Sequence, residues 1–251
     1  MALTDTGISK NINQDSMCLK IARTDECGQT VMAVVCDGMG GLAKGELASA
    51  TVIRVFENWF HNVLPKQIAN RTHEQLAPGL VHMVKEQNYR IMNYGKQVGA
   101  SLGTTVTVLL IIGDAYLILH VGDTRVYEIT DKPRQLTEDQ TYVAREVRCG
   151  RMTPEEALTD KKRNVLLQCV GASKEVAPDI LFGRVRPGAV YMLCSDGLRH
   201  VITEQEIGSI LRPAGISDVE SMEKNGRYLI DLAKERKEKD NISVMLLKGI
   251  A

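Results

Sequence analysis

The chain of 251 residues has no charge of either sign to spare: 31 Lys plus Arg balance 31 Asp plus Glu. Binders of nucleic acid or of membrane surfaces usually carry a basic excess, so both classes are disfavoured. No apolar run is long enough to span a bilayer, and the opening MALTDTGISK lacks the apolar centre of a signal peptide. The six cysteines (18, 27, 36, 149, 169 and 194) form no CxxC pair and no zinc-like spacing. Three of them sit in or beside apolar runs as small hydrophobes. A reduced, cytoplasmic setting is expected. Repeats and low-complexity segments are absent, and the one tryptophan, Trp59, keeps helical spacing with Phe56 and Phe60, which points to core packing. What is present is 44% hydrophobic and 25% charged residues, enough for one packed globular domain with no linker.

Along the chain, Met17–Thr24 and Gln29–Cys36 read as strands joined at Asp25–Gly28. Apolar residues then recur every three or four positions from Ala43 to Leu64, a helix stopped at Pro65. A second helix is expected from Thr72, whose pairing with Gln75 makes a capping box, to Val98. Thr104–Ile112 and Ala115–Val121 form a hairpin about Gly113-Asp114, and Thr124–Thr130 continues the sheet. Residues 138–163 are polar, hold one short helix opened by Thr153, Pro154 and Glu156, and form an excursion over the surface. Strands at 179–185 and 189–194 follow, then helices opened by Thr203 with Glu206 and by Ser217 with Glu220, then a solvated charge run at 234–239 and a last strand at 242–247. Segregated strands and paired helices favour antiparallel sheets covered by helices, an α+β class.

Five aspartates stand where strands begin or end. Asp37 closes Val31–Cys36, Asp123 follows Leu117–Gly122, Asp196 follows Val190–Ser195, Asp240 precedes Ile242, and Asp15 precedes the first strand. A lone carboxylate beside a dry core needs a partner. In an antiparallel sheet the end of one strand and the start of the next share a rim, so these carboxylates can gather there. Gathered, they repel and raise one another's pKa unless cations neutralise them. An all-oxygen donor set suits Mg²⁺ or Mn²⁺ better than zinc. The spacing leaves open the plainer reading that each is a turn residue beside glycine.

Eight segments in order, NQDS (13–16), VVCDGMGG (34–41), GELAS (45–49), GTTVT (103–107), HVGDTRVY (120–127), LTEDQ (136–140), MLCSDGL (192–198) and DNISV (240–244), resemble the metal-dependent serine/threonine protein phosphatases of the protein phosphatase 2C family in their compact bacterial form. The resemblance implies a four-layer α-β-β-α sandwich, with residues 138–163 as a flap beside the active site. It implies that Asp37 bridges two metal ions with the Gly38 carbonyl on one of them, that Asp196 and Asp240 hold the other, and that Asp15 supports the cluster through water. Asp123 with Asp196 would form a third, weaker position, and Asn241 would steady the Asp240 loop. Two Mn²⁺ or Mg²⁺ ions ~3.5–4 Å apart would lower the pKa of a shared water, and the resulting hydroxide would attack phosphorus in line. The catalytic set is thus Asp37, Asp196 and Asp240, acting on phosphorylated proteins made by a serine/threonine kinase, from an expected monomer.

The chain departs from the family at two places. Lys10 stands where the family has a phosphate-clamping arginine, and a lysine lacks the bidentate fork. Leu42 stands where many members have histidine, and none of His61, His73, His82, His120 and His200 falls at that position. Proton donation to the leaving group by metal-held water is therefore expected. Two alternatives remain, a pseudophosphatase that serves as a binding module and a hydrolase of small phosphate esters.

Overall fold

Period-two patterning builds two five-stranded antiparallel sheets. The computed structural model describes residues 1–24, 28–39 and 44–248. Its strands are β1 (Ala2–Asp5), β2 (Ser16–Thr24), β3 (Gly28–Cys36), β4 (Gly38–Met39), β5 (Gly103–Thr104), β6 (Val106–Ile112), β7 (Ala115–Val121), β8 (Arg125–Ile129), β9 (Pro133–Gln135), β10 (Asp179–Arg184), β11 (Val190–Cys194) and β12 (Ile242–Lys248). The helices are α1 (Gly45–Asn62), α2 (His73–Val98), α3 (Tyr142–Arg148), α4 (Pro154–Thr159), α5 (Asp196–Arg199), α6 (Glu204–Ile210) and α7 (Val219–Glu235). One sheet runs β10-β7-β6-β3-β2 and the other β1-β12-β11-β8-β9.

Strand β3 shows why the layers form. It is buried at every position from Thr30 to Cys36, because both of its faces meet other layers. Met32, Val34 and Cys36 pack with Phe56, Trp59, Leu76 and Leu80 of α1 and α2. Ala33 and Val35, on the opposite face, pack with Tyr191, Leu193 and Met245 of the second sheet. That sheet's outer face, with Met192, Cys194, Val244 and Leu246, is covered by Ile207 of α6 and Leu229, Ile230 and Ala233 of α7. The four-layer α-β-β-α sandwich is the observed architecture.

The expected hairpin at Gly113 is present, with Gly113 at φ 61°, a left-handed position glycine accepts freely. Capping boxes stand at Thr72 with Gln75, Thr153 with Glu156 and Thr203 with Glu206, as the sequence predicts. The last box is a correction. The cap of α7 is Asp218 with Ser221 rather than Ser217 with Glu220, because the Asp218 carboxylate accepts from Ser221 N at 2.8 Å while Ser217 N donates to the Ser221 hydroxyl. The charge run is also less solvated than expected, since Lys234 reaches Asp5 at 3.0 Å. The turn at residues 25–27 and Leu42 lie outside the described residues. Among the described residues no helix is long and apolar enough to cross a membrane.

Candidate metal centre

Strand register gathers the aspartates. Ser16 pairs with Cys36 and Val106 with Val121, so the residues before β2, after β3 and after β7 share one rim. Cys194 pairs with Val244 and Asp5 with Ile242, which brings the end of β11 and the start of β12 to the corresponding rim of the other sheet. A hydrogen bond joins the two rims: Ser243 Oγ on β12 donates to Asp15 Oδ2 at 2.6 Å. Asp15, Asp37, Asp123, Asp196 and Asp240 therefore lie along one mouth of the sandwich.

Their electrostatics show mutual crowding. Burial, together with the fields of Asp196 and Asp240, pushes Asp15 up to about 7, against the pull of its serine hydrogen bonds. Asp37 rises well above the usual carboxylate range through withdrawal from water and repulsion by Asp15, Asp196, Asp123 and Asp240. Asp196 is raised to about 6 by burial, with Arg199 pulling down and Asp240 pushing up. Asp123 is also raised to about 6, by burial above all, with Arg199 the main opposing pull. Asp15 Oδ1 and Asp196 Oδ1 are buried with no hydrogen-bond partner. Buried oxygens are normally satisfied, so an orphaned pair on neighbouring carboxylates marks a place for cations. Hard oxygen donors without thiolate or imidazole fit Mg²⁺ or Mn²⁺.

As they stand, no three acidic, thiol or imidazole groups among the described residues are drawn in tightly enough to ligate one ion. Three of the carboxylates lean on separate partners instead. Lys10 Nζ lies 3.0 Å from Asp240 Oδ1, with both side chains more than a third exposed. Arg199 donates to Asp123 Oδ2 at 2.6 Å, and Ser243 holds Asp15.

Backbone geometry explains the residues around them. Asp37 is locked by its N–H to Thr105 Oγ1 at 2.9 Å and by its carbonyl, which accepts from Thr105 N at 2.9 Å and Thr104 Oγ1 at 3.0 Å. A side chain at Gly38 would meet the Gly45 carbonyl at 2.3 Å and the Gln14 carbonyl at 2.5 Å. That close approach requires glycine. Asn241, 2% exposed, is the tie between the N-terminal segment and the Asp240 turn. Its Oδ1 accepts from Gln14 N at 2.9 Å, and its Nδ2 donates to the carbonyls of Thr6 at 3.0 Å and Ile12 at 3.2 Å.

Sequence reasoning missed three neighbours of the rim. His200 Nε2 lies 3.6 Å from Asp196 Oδ2 and its Nδ1 lies 3.7 Å from Glu238 Oε2; the signal was its position four residues after Asp196, one helical turn away. Arg199, beside Asp123, followed directly on the SDGL motif. Ser243 lay within the DNISV motif as an inward serine on a buried strand. His120, by contrast, is packed as expected: Nε2–H donates to the Glu138 carbonyl at 3.0 Å and Nδ1 accepts from Thr107 at 2.8 Å.

A ring of hard oxygen donors at the mouth of a four-layer sandwich defines a candidate centre for divalent cations, and the chain around it is similar to known proteins. The family model described as "Protein phosphatase 2C" matches residues 8–239. Protein phosphatase PhpP of Streptococcus pneumoniae is 32% identical over 250 residues, covering 98% of this chain and 95% of PhpP. The serine/threonine phosphatase of S. agalactiae superposes with a TM-score of 0.86 at 25% identity, over 100% of this chain and 98% of the other. The catalytic domain of the serine/threonine phosphatase PstP, solved with 2 manganese ions, superposes at 0.80 with 28% identity, over 100% and 97%. The chain belongs to the protein phosphatase 2C family of metal-dependent phosphoprotein phosphatases.

Proposed function

We propose that this enzyme hydrolyses phosphoserine and phosphothreonine in protein substrates with two divalent cations held on the aspartate rim. The observation that carries this reading is the convergence of five strand-end aspartates, two of them with an orphaned buried oxygen. Asp37 and the Gly38 carbonyl would hold one ion, and Asp37, Asp196 and Asp240 the other, with Asp15 in support through water. Bound there, Mn²⁺ or Mg²⁺ supplies a lowered pKa for water and shields the charge of the phosphate. The protein's own part is to hold the donors still. Asn241 and Ser243 tie both sheets' contributions together across the rim.

Lys10 stands at that rim as a single point charge, suited to pair with phosphate oxygens and orient the ester. The thiols next to the rim do not compete as nucleophiles: burial pushes Cys194 up to about 12 and Cys36 well above its ordinary range. Residues 138–163 act as a flap that reads the substrate. Its base is tied to the rim, with Gln140 N donating to the Gly122 carbonyl at 2.8 Å and Gly122 N to Gln140 Oε1 at 2.8 Å. Beside it runs a polar cleft of about 360 Å³ with Arg145, Arg148 and Glu175 in its walls. The substrates would be the products of a serine/threonine kinase, and the enzyme would act as a monomer in the cytoplasm.

The test is phosphate release from matched phosphoserine, phosphothreonine and phosphotyrosine peptides and from p-nitrophenyl phosphate, in Mn²⁺ and in EDTA. Release from the first two peptides in Mn²⁺ alone supports the reading. Release from the small ester but from no peptide would favour a small-ester hydrolase. A protein that turns over none of them in Mn²⁺ or Mg²⁺ would be a binding module.

A further inference from the structure

We infer that Arg199 is the resident cation at the Asp123 end of the rim, so that this chain holds two metal ions where a third position would otherwise form. The inference rests on the two-metal reading above. Arg199 closes α5, three residues after Asp196, and its side chain is 12% exposed. Nη2 donates to Asp123 Oδ2 at 2.6 Å and Nε to the Asp123 carbonyl at 3.3 Å. Its other nitrogen, Nη1, faces Asp139 Oδ2 at 3.7 Å. Asp139 is gripped on both oxygens by Arg125, Nε at 2.8 Å and Nη2 at 2.7 Å, and Arg125 Nη1 donates to the Tyr127 hydroxyl at 2.7 Å. Two carboxylates and two guanidiniums thus alternate in a line that is buried at Asp123 and half-buried beyond it, and balance in charge.

A guanidinium keeps its proton at any ordinary pH, so its charge cannot be shed to admit a dication. An ion on Asp123 would share a low-dielectric site with a fixed positive charge and would have to displace a hydrogen bond already made. The contrast along the rim is specific. Asp15 and Asp196 each leave a buried oxygen without a partner, while Asp123 Oδ2 already accepts from the Arg199 guanidinium at 2.6 Å. Asp240 also has a cation beside it, but the Lys10 side chain is 40% exposed where that of Arg199 is 12%. The third position expected at Asp123 with Asp196 is therefore not a metal site in this protein, and Arg199 does its electrostatic work.

Calorimetric titration with Mn²⁺ and melting curves with and without Mn²⁺ test this on the full chain, Arg199→Ala and Asp123→Asn. The parent is expected to bind two equivalents and Asp123→Asn still two. Arg199→Ala is expected to melt lower in EDTA, to gain a third equivalent, and to recover more of its melting temperature in Mn²⁺ than the parent gains. A third equivalent in the parent that Asp123→Asn removes overturns the inference and leaves the two-metal function standing, as does a folded Arg199→Ala that stays at two. If Arg199→Ala does not fold, the comparison of the parent with Asp123→Asn decides the matter. A parent that binds no Mn²⁺ overturns the proposed function itself.

Discussion

Replacing Asn241 with alanine tests how the rim is held, because one side chain ties three separate backbone points. Its amide makes hydrogen bonds to Gln14 N, the Thr6 carbonyl and the Ile12 carbonyl, and the residue is 2% exposed. Each such bond contributes about 1 kcal/mol net, so the truncation costs ~3 kcal/mol. In a chain of this size that lowers Tm by roughly 6–12 °C. The functional effect is separate from the stability effect. Gln14 precedes Asp15 and Asn241 follows Asp240, so the same three bonds hold two of the aspartates at the rim. Loss of an outer partner of this kind weakens metal affinity by about 10–100-fold. Melting curves in EDTA read the first effect, and Mn²⁺ titration well below the melting temperature reads the second. A Tm within about 2 °C of the parent, with unchanged Mn²⁺ affinity, would refute the assignment of Asn241 as the tie.

Gly38→Ala drives a methyl group to within 2.3 Å of the Gly45 carbonyl and 2.5 Å of that of Gln14; a loss of about 1–3 kcal/mol in stability is expected in urea unfolding, along with loss of Mn²⁺ binding. Lys10→Ala leaves Tm nearly unchanged, because its pair with Asp240 is solvent-exposed, while KM for a phosphopeptide rises; Lys10→Arg leaves turnover intact or lowers KM, and a large loss of activity in that variant would count against a phosphate-facing role. In EDTA, the raised pKa of Asp15 (about 7) and of Asp123 and Asp196 (about 6 each) means that the folded state binds more protons than the unfolded one above roughly pH 4. The stability these groups contribute is therefore greatest at the acid end and is lost as pH rises to about 7. His73, His120 and His200, whose pKa values are lowered by burial, act in the opposite sense over the same window, so the readout is a difference. From about pH 5 to about pH 7.5 in EDTA the parent should lose melting temperature relative to Asp15→Asn, and a difference that stays constant would contradict the reasoning. Mn²⁺ competes with those protons, so its affinity should climb over the same range.

The strands and their common rim were legible because β-branched runs ending in Asp next to glycine leave two signals at once, periodicity and a polar stop. The α1 and α2 helices were legible from spacing and from the Thr72 cap. The four-residue β1 was not, since Ala2–Asp5 has no fully buried residue and is held by backbone pairing with β12 and by Leu3 against the second core. The cap of α7 was misplaced by one residue because Ser217 and Asp218 are both good caps and tertiary geometry chose between them. At the site, residue type and position announced Asp15, Asp37, Asp123, Asp196 and Asp240 as candidates. Most of their partners were hidden, because Arg199, Asp139 and Ser243 act across elements, and a single sequence carries no record of which strand or helix faces which; His200, four residues after Asp196, was the exception. The excursion at 138–163 read as surface. Its base instead holds Asp139, a buried carboxylate that Arg125 holds below the usual range despite burial.

The central claim is that hydrolysis runs through cations held by the strand-end aspartates. Hydrolysis of p-nitrophenyl phosphate by the parent and by Asp196→Asn, each in Mn²⁺ and in EDTA, tests it most directly. Turnover is expected only from the parent in Mn²⁺, with the variant still folded by melting. Turnover that persists in EDTA, or in folded Asp196→Asn, would contradict it.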